Sequence, residues 1–159
     1  MSDVTPSEEA TAWHRRFAAA ANNRAWDLSV QPRSAAQDQE MLHAAHASAW
    51  HWEKVGTRLN RARALMLLAE VHALLGLGQS ALAHAEEMRA HLLEVQSPDW
   101  EVAFVHVVHA HAAAAAGDTE KHRNSYALAV AALEGITNEE ERRNVASTFL
   151  HVPKPQDSA

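Results

Sequence analysis

Cysteine is absent from the 159 residues. That excludes a disulfide framework, a thiolate metal site and a cysteine nucleophile together. Glycine and proline are scarce, five of each, too few to punctuate a turn-rich all-β domain. A basic surplus is also missing: 14 Lys and Arg stand against 20 Asp and Glu, for a net charge of −6. A dedicated nucleic-acid binder usually carries a strongly basic face, so the balance argues against that class. The most apolar stretch, Val102 to Ala116, is interrupted by three histidines and is too short to span a bilayer. Met1 to Glu9 is polar and has no apolar signal-peptide core, so the expected location is the cytoplasm. No Gly-rich phosphate loop, nucleophile elbow or His-Glu-x-x-His zinc signature occurs.

Alanine and histidine fill the space left. Alanine supplies 34 residues and histidine 12. The length suits one domain able to bury its own core. The sequence predicts a single all-helical domain over residues 1–152 and a flexible tail over 153–159.

Caps and breakers divide the chain into seven helices. Thr5-Pro6-Ser7-Glu8-Glu9 opens the first, with hydroxyl caps and early acids. Its apolar stripe reads Ala10, Trp13, Phe17, Ala20, Ala21. The second starts near Ser34, carries Leu42, Ala45, Ala49 and Trp52, and stops at Gly56. Thr57 caps a third that is apolar nearly all round, which places it in the middle of the fold. Gly76-Leu77-Gly78 ends it. In the fourth, Ala81, Ala85, Met88 and Leu92 face inward while His84, Glu87, His91 and Glu94 face out. The fifth, Trp100 to Ala116, is a second buried helix closed by Gly117-Asp118. A sixth carries Tyr126, Val130 and Leu133, and Thr137-Asn138 caps a seventh. Connections this short make successive helices antiparallel neighbours. The expected fold is all-α, a helical-hairpin array, with a closed helical bundle as the alternative.

Two hairpins look related. Leu68-Ala69, Gly76, Ala81 and Met88 set a small residue, a turn glycine and a small packing residue in order. Ala110, Gly117-Asp118 and Ala129 repeat that order, with His122 where Ala81 stands in the first copy. Gly76 and Gly117 are 41 residues apart, longer than the roughly 34 of a tetratricopeptide repeat and nearer other helical-hairpin repeats. On these residues the chain resembles a tetratricopeptide-repeat-like array, with Ala69 where the family has glycine and His72 where it has tyrosine. The segments Ala21 to Trp26 and His43 to Trp52 are similar to those of small all-helical bacterial proteins that carry no assigned activity. The repeat resemblance implies an interaction role.

Two function classes are open. The first is a non-catalytic module that binds a protein or peptide, or a second copy of itself. Its tryptophans exceed what a core needs, and a concave face lined by Asn22, Trp26, Trp50, His51, Arg63 and Trp100 is the expectation. Arg63 enters a helix otherwise buried, so it needs an acid partner or an anionic ligand. In this class no cofactor, nucleic acid or membrane is involved.

The second class is a histidine metal site. Imidazoles three or four residues apart share a helix face. His43 and His46 have that spacing, as do His106 and His109. If the second and fifth helices met, these four could hold zinc, nickel or iron for a metal-dependent hydrolase or transferase. Glu40 and His43 form the carboxylate–imidazole pair of di-iron bundles, but no second Glu-x-x-His exists. The competing expectation is that each buried histidine bonds a carbonyl or an acid on a neighbouring helix. Buried neutral imidazoles also predict lower stability in mild acid.

Overall fold

The structure, a computed structural model, describes residues 7–157. It holds seven helices: α1 (Glu8–Ser29), α2 (Ala35–Val55), α3 (Arg58–Leu74), α4 (Gly78–Leu93), α5 (Asp99–Ala116), α6 (Thr119–Glu134) and α7 (Glu139–Phe149). No strand occurs among the described residues. Thr5 and Pro6, read as part of the first cap, and the last two residues of the predicted tail lie outside them.

Side chains the sequence marks as caps close the helix starts. The Ser7 hydroxyl accepts from the Ala10 amide at 3.2 Å, and Asn138 Oδ1 from the Glu141 amide at 3.0 Å. Ser34 with Gln37, and Thr57 with Asn60, form reciprocal capping boxes. Each satisfies amides that the first helical turn leaves unpaired, worth about 1 kcal/mol apiece. α3 and α5 end alike. Gly76 and Gly117 adopt φ of 73° and 75°. In both turns the next residue's amide reaches back to the helix, Leu77 to the His72 carbonyl and Asp118 to the Ala113 carbonyl. The residues 41 apart in sequence therefore build the same left-handed stop.

Helices pair in chain order as antiparallel hairpins α1–α2, α3–α4 and α5–α6. The hairpins stack through α2 on α3 and α4 on α5, while α1, α3, α5 and α7 also pack on one another in sequence. The even-numbered helices make no comparable contact among themselves. The result is an inner layer of odd helices backed by an outer layer of even ones. α3 touches α1, α2, α4 and α5, and α5 touches α3, α4, α6 and α7. That explains why these two are apolar nearly all round.

Three clusters form the core. Leu28, Met41, Leu67 and Val71 join α1, α2 and α3. Met66, Met88, Leu92, Val105 and Val108 join α3, α4 and α5. Val107, Ile136 and Val145 join α5 to the C-terminal end. Alanines at the crossings let backbones approach closely, and Gly78 takes this furthest. A Cβ there would stand 2.2 Å from the Ala115 carbonyl oxygen.

The predicted inward face of α4 is correct in all four residues, since Ala81, Ala85, Met88 and Leu92 are buried. The stripe on α1 is not. Trp13, Phe17 and Ala20 are exposed, and α1 turns Ala18, Ala25 and Leu28 to the core. Close packing on α2 selects the small-residue face over the aromatic one, although both have helical spacing. His84 is a second correction: it is half-buried against His72, their rings 5.1 Å apart, rather than facing solvent. His122, at the position of Ala81, is buried and its Nε2–H donates to the Pro153 carbonyl at 2.7 Å.

Candidate functional site

Stacking odd helices side by side leaves a groove along their inner layer. It has a volume of about 560 Å³. Asn22 and Trp26 of α1, with Val30 just past its end, form one wall, with Arg63 and Met66 of α3 and Trp100, Glu101 and Phe104 of α5 beneath. Glu141, Asn144, Val145, Ser147 and Thr148 of α7 form the other wall. Every lining helix is odd-numbered, so the groove is a product of the layer order.

An ion pair lies in its floor. Arg63 Nε donates to Glu101 Oε2 at 2.7 Å, and Nη2 donates to Oε1 at 3.3 Å. The Glu101 side chain is 3% exposed and that of Arg63 43%. The carboxylate is therefore committed inward, whereas the outer guanidinium nitrogen, Nη1, takes no part in the pair. The Trp100 ring packs 5.6 Å from the guanidinium carbon, which stiffens the arginine further. Trp26 meets Phe104 edge-on, their centres 5.2 Å apart. The groove thus offers aromatic faces, a held cation and the side-chain amides of Asn22 and Asn144 on opposite walls.

Of the six residues predicted to line a concave face, Asn22, Trp26, Arg63 and Trp100 meet in this groove. Trp50 and His51 do not, because α2 belongs to the outer layer. They lie on the first hairpin near His14, with His14 Nδ1 and His51 Nδ1 2.8 Å apart. Burial, with His14 beside it, holds the His51 imidazole below its ordinary range. Phe104, Asn144 and Thr148 are lining residues the sequence did not disclose. Asn144 and Thr148 share a face of α7, but only the placement of α7 across from α1 turns that face to the groove.

The four histidines of the metal reading are dispersed. His43 and His46 lie exposed on α2 and His106 and His109 buried in α5, with α3 packed between the two helices. Among the described residues, no three His, Asp or Glu side chains are placed to hold a metal ion. Most of the buried histidines bond to side chains of neighbouring helices instead. His109, fully buried, has Nδ1 2.6 Å from the Ser125 hydroxyl and Nε2 3.2 Å from Glu86. Burial pushes its pKa down against the pull of Glu86. His111 Nδ1 donates to the buried Glu70 carboxylate at 2.9 Å. His46 Nε2 meets His72 Nε2 at 2.9 Å. Burial, with His84 and then His46 close by, lowers the His72 imidazole to about 4. His106 is the exception: its Nδ1 is buried without a partner, and burial lowers its pKa too.

Fold and groove together define the class: an all-helical protein of seven sequentially packed helices whose alternate members line a concave face. No protein family, curated protein or solved structure matches the chain. No helix of the described residues is long and apolar enough to cross a membrane.

Proposed function

We propose that this chain is a binding module, tetratricopeptide-like in plan, that holds a peptide segment of a protein partner in the groove of its odd-numbered helices. The observation that carries this reading is the convergence of Asn22, Trp26, Arg63, Trp100 and Asn144 from four helices on one concave surface. An extended peptide needs donors and acceptors for its backbone and apolar surface for its side chains. Side-chain amides supply the first, and Trp26 with Phe104 supplies the second. Arg63, fixed by Glu101 and Trp100, offers its free edge to a peptide carbonyl or carboxylate with little ordering left to do. Tryptophan and arginine are also the residues that most often dominate binding energy.

Selection of a displayed random-peptide library on the full chain tests this. The reading expects peptides whose affinity falls about tenfold or more in Trp26→Ala and in Asn144→Ala. It expects no loss in Leu128→Ala, which alters an exposed residue of α6 outside the groove. Selected peptides that bind all three variants equally would overturn it.

A further inference from the structure

Among the described residues, no helix covers the outer side of the first hairpin. In a stacked array the end units need a polar outer face, because each unit buries its apolar face only against a neighbour. Here that end is aromatic. Trp13, Phe17 and Trp50 are 46%, 48% and 52% exposed. Trp13 and Phe17 stack with ring centres 5.5 Å apart, and Trp50 approaches them through His14 and His51. Asn22 and Trp26 point to the opposite side of α1, so this patch is separate from the groove. An exposed cluster of three large aromatics marks a surface that another body covers.

The charges around the patch are arranged for one particular body. Arg16 lies over the Trp13 ring at 5.5 Å and Lys54 over Trp50 at 5.2 Å. Glu9 is one helical turn before Trp13 and shares its face, as Arg16 does on the other side. Glu9 and Arg16 are symmetric about a point between Ala12 and Trp13. If two copies of α1 lie antiparallel across a two-fold axis at that point, Glu9 of each faces Arg16 of the other, with the tryptophans between them. A face that is its own complement is what a two-fold dimer requires. An axis at that point lays residues 8–17 of each α1 against those of its copy, about 15 Å of helix, and Trp50 of α2 stands exposed beside them.

We infer that the outer face of the α1–α2 hairpin is a dimer interface for a second copy of this chain, centred on Trp13 and registered by Glu9–Arg16 pairs across the two-fold axis.

Sedimentation equilibrium of the full chain tests the interface and its register together. The expected result is a concentration-dependent species of twice 17.4 kDa between about 5 and about 500 µM. Glu9→Arg puts two Arg–Arg pairs across the axis and Arg16→Glu puts two Glu–Glu pairs there. Each variant alone should dimerise about tenfold more weakly or worse. Mixed together they should form a heterodimer at least as tight as the wild-type dimer, because both pairs become attractive again. Both substitutions are on exposed positions, and an unchanged helical circular-dichroism spectrum confirms the fold. A chain that stays monomeric over the whole range overturns the inference, as does a dimer indifferent to both variants. A mixture that fails to associate also overturns it. Cosedimentation of a monomer with vesicles rich in anionic lipid would assign the patch to a membrane surface instead.

Discussion

His72 is buried in α3 with both ring nitrogens engaged, and a His72→Gln variant measures what its neutrality contributes as pH falls. The Ser80 hydroxyl donates to the Leu77 carbonyl at 3.1 Å, so it must accept from His72 Nδ1–H, 2.6 Å away. His72 Nε2 is then the acceptor facing His46 Nε2, and it is the site where an added proton must go. Burial and the neighbouring His84 and His46 oppose that charge, so the folded pKa is about 4 against ~6.5 in the unfolded chain. The folded pKa is the lower one, so the unfolded chain binds more protons throughout the interval. Stability from this group is complete above about pH 6.5 and is lost as pH falls toward 4. The linkage relation gives a loss of about 2 kcal/mol at pH 5 and about 3 kcal/mol once both forms are protonated. Urea unfolding followed by far-ultraviolet circular dichroism at pH 7.5 and pH 5.0 reads this directly. His51, His84, His106 and His109, also held low chiefly by burial, remain in both proteins and contribute to both slopes. The wild type should therefore lose about 2 kcal/mol more than His72→Gln across that interval. Equal losses, within about 0.5 kcal/mol, would refute the assignment of a buried neutral role to His72.

Two further substitutions probe the packing. Gly78→Ala drives a methyl into the Ala115 carbonyl and should cost about 1–3 kcal/mol. Gly135→Ala meets nothing nearer than 3.4 Å and should be close to neutral, as paired thermal melts will show. Glu70→Ala leaves the buried His111 Nδ1–H without its acceptor, and should lower stability by about 1–3 kcal/mol, measured by urea unfolding.

Helix positions were legible because caps and breakers act locally. Ser34, Thr57, Asn138, Gly76 and Gly117 do in the structure what their chemistry predicts in isolation. The central burial of α3 and α5 was legible too, since a helix with neighbours on four sides must be apolar on all of them. The orientation of α1 was not. Two faces of that helix have helical spacing, one of alanines and one of aromatics, and only the fit against α2 decides between them. The groove was half legible. Asn22, Trp26, Arg63 and Trp100 stand out as polar groups and tryptophans in apolar helices, and all happen to lie on odd-numbered helices. Trp50 and His51 carry the same signature on an even-numbered helix, which the layer order removes from the groove. The α7 wall gave no signal, because Asn144, Ser147 and Thr148 are ordinary surface residues until topology sets them opposite α1. The histidine pairs on α2 and α5 had sound local spacing, and α3 keeps them apart.

The groove's second wall is also its least supported part. α7 packs on α5 through Val145 and its neighbours, and among the described residues the one other helix it meets to any extent is α6, only thinly. Its 11 residues pack on fewer helices than those of α3 or α5, and an element with few neighbours opens locally at less cost than global unfolding. An occupant that touches both α1 and α7 would close that seam as it binds. Part of its binding energy would then be spent on ordering the wall, and the depth of the groove becomes a property of the complex as much as of the free chain.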